Sequence, residues 1–187
     1  ETAHRLLLER RDADAGELLF ALLCNVEGGP TITLKPSAGL GRLHALWLLC
    51  GWHNHEEMAL EAALTDSVAG LREHGVLLAE HRLQTSDKLR NRLIPLADDN
   101  DPRVRLQVAL SLGVVARRGD GSADEVVVAA LARIAERDAT DDWLRTAVLS
   151  SSGEVLPQLL AELIRRPTFT WCLCLRLPSR PSRRVRW

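Results

Sequence analysis

Eight residues, Cys50 to Glu57 (CGWHNHEE), gather one cysteine, two histidines and two glutamates. Side chains of these kinds bind zinc and iron. A zinc site needs three or four of them converging at about 2.0–2.3 Å. The local pattern argues for a different use. Gly51 tolerates the left-handed conformation that ends a helix. Asn54 is a good N-cap, and Glu57 follows three residues later, as in a capping box. Glu56 and Glu57 in a first turn also suit the helix dipole. Cys50 lies one turn back on an apolar stretch, where it is hard to bring round to His53 and His55. The stretch is therefore predicted to start a helix, with no metal bound.

Other chemistry-bearing patterns are weaker. The four cysteines, Cys24, Cys50, Cys172 and Cys174, form no C-x-x-C pair, so zinc-ribbon, thioredoxin-type and c-type haem motifs do not occur. Ser150–Ser152 end a helical stretch with no histidine nearby, and no G-x-S-x-G occurs. The glycine-containing EGGP and GDG stretches lack the lysine of a phosphate loop. No catalytic residue, cofactor or metal is predicted for this chain.

The elements that position these residues are helical. Of 187 residues, 46% are hydrophobic and 26% charged, but only 4% are aromatic and none is Tyr. Leu and Ala dominate, and both favour helix. Leu, Val and Ala recur at three- and four-residue spacing in Thr2–Glu9, Ala13–Cys24, Gly39–Cys50, His55–Leu64, Ala69–Glu80, Asp87–Leu96, Pro102–Val115, Ala123–Glu136, Asp142–Ser150 and Glu154–Arg165. No apolar run reaches the 18 residues of a membrane span. The net charge is -1, yet residues 167–187 hold five arginines and no acid, leaving 19 basic against 25 acidic side chains elsewhere. An acidic body argues against a nucleic-acid surface.

Four nine-residue stretches are alike: GRLHALWLL from Gly41, LREHGVLLA from Leu71, VRLQVALSL from Val104 and LRTAVLSSS from Leu144. Each has arginine second: Arg42, Arg72, Arg105 and Arg145. Their starts are roughly 30, 33 and 40 residues apart, periods typical of α-solenoids built from helix pairs. In DDNDPRVR, Asp101 can cap the helix and Pro102 suits its first turn. Arg105 can reach towards an acidic turn such as Asp99 or a neighbouring repeat's. DATDDWLR repeats the scheme with Asp141 as cap. TDSVAGLR is a degenerate version with Val68 and Ala69 in place of Asp-Pro. At the fourth position His44, His74 and Gln107 fall in a row; one reading is a polar stripe on the concave face of stacked repeats, the favoured one ordinary interhelical hydrogen-bond positions satisfied locally.

The D-x-D-P-x-V-R turn resembles the HEAT repeat over about residues 38–165. The order of the copies, with the opening TAHRLLLERRDA, is similar to the HEAT region of planctomycete-type membrane-bound dehydrogenases, a c-type haem-binding family. The resemblance spans most of Thr2–Ser152. It departs in the insert NVEGGPTITLKPS (Asn25–Ser37) and at the histidine-rich turn. It implies a parent with a propeller-like dehydrogenase domain before the array, a C-x-x-C-H cytochrome domain after it, and an extracytoplasmic location. Neither flanking motif is in this chain, so no catalytic residue carries over. The HEAT enzyme deoxyhypusine hydroxylase holds two irons through several His-Glu pairs. Here only His55-Glu56 has that order, too few ligands for such a site. Bilin lyases, another HEAT-like class, show no distinctive residues here.

The expectation is an all-α protein: an α-solenoid of four to five HEAT-like helix pairs over residues 1–166, truncated at its N-terminus. Residues 167–187, with three prolines and clustered arginines, break the pattern and are expected to be disordered or out of frame. The expected role is a noncatalytic scaffold contacting proteins or neighbouring domains. The alternative is a fragment of a HEAT-type enzyme or lyase with its own ligand or metal site.

Overall fold

The computed structural model describes residues 2–10, 13–24, 39–52, 56–117 and 119–166. The insert Asn25–Ser37, the His53–His55 turn and the segment 167–187 lie outside the described residues. Among those described, the chain is all-helical and no strand occurs; a single isolated bridge joins Arg117 to Ala123. The helices are α1 (Thr2–Arg10), α2 (Ala13–Leu23), α3 (Gly39–Gly51), α4 (Glu56–Leu64), α5 (Ala69–Ala79), α6 (Asp87–Leu93), α7 (Pro102–Leu112), α8 (Glu125–Arg137), α9 (Asp142–Ser152) and α10 (Leu156–Arg165).

These bounds follow from local chemistry. Asp101 accepts from the Arg103 N–H at 2.9 Å, with Pro102 in the first turn of α7. Asp141 accepts from Trp143 and Leu144 at 2.8 and 3.1 Å to start α9. Asp124 does the same for α8 through Val126 and Val127. This cap moves the start of α8 to Glu125, two residues beyond the Ala123 expected from periodicity. Ser86 caps α6 through Leu89. At Val68 no side chain caps α5. Instead the Asp66 carboxylate accepts from the Val68 N–H at 2.8 Å. The helix expected to reach Leu96 ends earlier, because Pro95 has no N–H to continue the ladder; a 3-10 turn, Ile94–Asp98, completes it.

Two series of neighbours run along the chain. One is α1, α3, α5, α7 and α9, each packed on the next. The other is α2, α4, α6 with its 3-10 turn, α8 and α10. Between them lies a core of leucine, valine and alanine, with Leu46, Leu49, Leu60, Leu64, Leu89, Leu93, Leu112 and Leu131 fully buried. The small residues decide how near the helices come. A Cβ at Gly75 would lie 3.0 Å from the Ala63 Cβ and 3.3 Å from α4 backbone atoms. At Gly113 it would meet Ser151 at 3.0 Å from Cβ and 3.1 Å from Cα. These contacts are closer than real Cβ atoms normally accept, so glycine sets the α4–α5 separation and the approach of α9 to the end of α7.

Gly75→Val is therefore expected to cost about 1–3 kcal/mol in urea unfolding through overpacking. Gly70, on the same helix with nothing within 4 Å of its Cβ position, should accept alanine with no loss, and gain up to about 0.5 kcal/mol.

Candidate interaction surface

Of the residues singled out at the chemistry-bearing stretch, Cys50, Glu56 and Glu57 are described, and His53 and His55 lie outside the described residues. Cys50 is buried on α3, and burial pushes its thiol up to about 12, with the Glu56 charge adding to the rise. It is thus held as a neutral thiol at ordinary pH. Glu56 is also buried, where its Oε1 lies 2.9 Å from His81 Nε2 and its Oε2 lies 4.0 Å from Arg82. Glu57 accepts from the Ser86 hydroxyl at 2.8 Å, and the Asn54 expected to cap with it lies outside the described residues. The two glutamates thus face opposite ends of the segment that follows α5, and Ser86 is held between Glu57 and the start of α6. No group of three or more His, Cys, Asp or Glu poised for a metal occurs among the described residues.

The arginines at the second position of the four copies do share a geometry. Arg72 donates through Nε and Nη2 to both oxygens of Asp99, at 2.7 and 2.8 Å. Its Nη1 donates to the carbonyls of Asp66 and Ser67 at 2.8 and 3.0 Å. Arg105 repeats this: Nε and Nη2 reach Asp138 at 2.7 and 2.5 Å, while Nη1 reaches the carbonyls of Asp99 and Asn100 at 2.7 and 3.2 Å. Arg42 grips Asp66 through both terminal nitrogens and donates Nε to the Leu23 carbonyl at 2.8 Å. Each guanidinium therefore ties the turn or helix end before its own helix to an aspartate in the turn after the next helix. Bidentate Arg–carboxylate pairing is directional as well as strong.

The acceptors Asp66 and Asp138 were not singled out from the sequence. The signal was there: Asp66 and Asp99 each stand six residues before the arginine of the next copy, and Asp138 stands seven before Arg145. Asp99 also accepts the Asp101 N–H at 2.8 Å, so one carboxylate shapes its own turn and receives Arg72. Burial by itself would raise the Asp99 carboxyl. The Arg72 hydrogen bonds, the Asp101 N–H and the Arg72 charge outweigh that and hold it below the ordinary carboxylate range. Arg145 breaks the series. It bonds Asp142 of its own helix at 2.5 Å and the Ala139 carbonyl at 3.4 Å.

The fourth-position residues have different partners. His44 stacks edge-on against His4 of α1, with centroids 5.1 Å apart. His74 receives the Trp47 indole N–H at 3.3 Å. Gln107 donates to Ser111 at 3.2 Å, and Ser111 donates to Glu80 at 2.9 Å. Each is engaged with a neighbouring helix or its own. Elsewhere, a groove of about 740 Å³ has a mixed lining, with Gln84, Asp87, Arg90, Arg117 and Asp124 beside Ile94, Val114 and Val126. Its charges are paired, Arg90 with Asp124 and Arg117 with Glu154.

Comparison with protein-family models, with curated proteins and with solved structures returns no match. The resemblance to the dehydrogenase arrays accordingly rests on the residues quoted for it. No described helix is long and apolar enough to cross a membrane.

Two predictions follow from the bridges. Arg105→Ala strands Asp138 and two carbonyls in a site where the arginine side chain is only 6% exposed, and is expected to cost about 3 kcal/mol or more in denaturant unfolding. Arg145→Ala removes only a half-exposed pair on one helix and should change stability by less than about 0.5 kcal/mol. The second concerns acid. The depressed Asp99 carboxyl contributes stability that is fully present above its unfolded value of about 4 and is lost as pH falls through the lower folded value. Melting followed by circular dichroism should show this acid loss, and Arg72→Gln should flatten it.

Proposed function

We propose that the chain is a noncatalytic scaffold, an α-solenoid of HEAT-like helix pairs that holds neighbouring domains or proteins in register. The observation that carries this reading is the repeated bridge. The same position of three successive copies, Arg42, Arg72 and Arg105, joins its own turn to the aspartate of the next, Asp66, Asp99 and Asp138. Such a device couples each pair to its neighbour and nothing more distant, which is the energetic signature of a repeat array. The two series of stacked helices agree with it. The pairs are then α2–α3, α4–α5, α6–α7 and α8–α9, with α1 and α10 as halves of adjoining pairs.

In this reading the titratable groups that could do chemistry are spent on structure. Cys50 is kept neutral by burial, Glu56 sits against His81, and Glu57 holds Ser86. The resemblance of Thr2–Ser152 to the dehydrogenase arrays extends the proposal: the parent protein is an extracytoplasmic haem-binding dehydrogenase, and this region spaces its catalytic and haem domains.

Sequencing the DNA on both sides of this reading frame tests the parent. Expected are a propeller-like domain upstream and C-x-x-C-H downstream, with the helix-pair pattern resuming. Clean flanks that encode neither would remove the dehydrogenase and leave a free-standing scaffold.

A further inference from the structure

The first helix is held on the array by very little. Of the described side chains of α1 only His4 and Leu7, one turn apart, are partly shielded from solvent, and none is fully buried. Leu7 packs against the core, and the helix rests chiefly on α3. The other anchor is a histidine against a histidine: His4 meets His44 edge-on, with ring centroids 5.1 Å apart. Beside them lies a cavity of about 310 Å³ lined by His4, Leu43, His44 and Trp47. His4 Nδ1 is buried and has no hydrogen-bond partner among the described residues. Trp47, in the same lining, donates its indole N–H to His74 Nδ1 at 3.3 Å.

This arrangement suits neutral rings. A neutral His4 can leave a lone pair at Nδ1, whereas the protonated ring must place an N–H there. That N–H would be a buried donor with nothing to receive it, on a ring whose charge is partly shielded from water. A proton on His44 as well would set two cations side by side. Protonated His74 has no lone pair for the Trp47 N–H. No acid nearby offsets these costs. Helix α3 carries no Asp or Glu, and its Arg42 is committed to Asp66 and the Leu23 carbonyl. On α1, Glu9 pairs with Arg5 at 3.3 Å, and Arg10 adds a further positive charge. On α5, Glu73 lies in the field of Arg103, and Arg72 is held by Asp99. Burial accordingly holds His4 below the ordinary histidine value, and His44 and the positive amino end of the chain push the same way.

We propose that the α1–α3 contact is a pH-sensitive latch, closed while His4 is neutral against His44 and opened when His4 takes up a proton, which frees α1 and uncovers Leu43, His44 and Trp47. The folded value of His4 lies below its unfolded value of about 6.5. Its contribution is therefore fully present above that unfolded value and is lost as pH falls through the folded one. Because so little else holds α1, the opening is local. Hydrogen–deuterium exchange of the full chain, read by mass spectrometry and corrected for the intrinsic pH dependence of exchange, tests this. Protection of residues 2–10 should fall by about three- to tenfold between about pH 7.5 and 5.5, while that of α3 and α5 is kept. In His4→Phe, which keeps a ring at the contact without a titrating nitrogen, the fall should vanish. Protection of α1 that does not change over this range overturns the latch. So does a fall that persists in His4→Phe, or one shared by α3 and α5, which reports unfolding of the whole array. Should phenylalanine fail to seat and leave α1 unprotected at both pH values, ring titration of His4 by NMR in the parent chain decides. A ring that titrates at or above the ordinary histidine value overturns the proposal; one that titrates below it, in step with the loss of protection, upholds it.

Discussion

The bridge from Arg105 to Asp138 is the contact on which the arrangement depends. Two charges taken out of water cost more than a loose pair returns. Here the geometry is bidentate, the third guanidinium nitrogen is satisfied by two carbonyls, and Asp138 stands at the end of α8. The bond is useful because it is particular. An apolar contact between α7 and α9 would tolerate sliding by a turn; a fork that must meet one carboxylate would not. Repeated at Arg42 and Arg72, the same demand sets the register of each helix pair on the next.

Apolar burial supplies the driving force around these bridges. Most leucines of α3, α4, α6, α7 and α8 are buried, and glycine stands at Gly75 and Gly113, where a Cβ would lie within 3.0 Å of a neighbouring helix. A charged fork that fixes register, an apolar seam that closes on it, and a glycine where the seam is tightest make a unit that can be stacked.

Three of the metal-binding residue types in the Cys50–Glu57 stretch have structural partners among the described residues. Cys50 faces the interior of α3, Glu56 turns to His81 and Glu57 turns to Ser86. In the groove near Arg90 and Arg117 the arginines are each held by a carboxylate.

By itself the sequence determined that the chain is helical and where most helices begin. Local rules suffice for that: leucine spacing, Asp101 and Asp141 as caps, Pro102 in a first turn. It also showed that Arg42, Arg72, Arg105 and Arg145 are equivalent, since similarity of copies is visible along one dimension. Which carboxylates they meet was only partly legible. The regular placement of Asp66, Asp99 and Asp138 ahead of the next arginine was readable, but the direction of the bond was not, because Arg105 could reach its own turn or the next. Tertiary structure decided that it does both, one with backbone and one with side chain. Packing alone likewise decided that His44, His74 and Gln107 take three different partners, that Glu57 meets Ser86, and that Arg145 is left on its own helix. Those outcomes depend on which helices lie across from one another, and no local pattern carries that information.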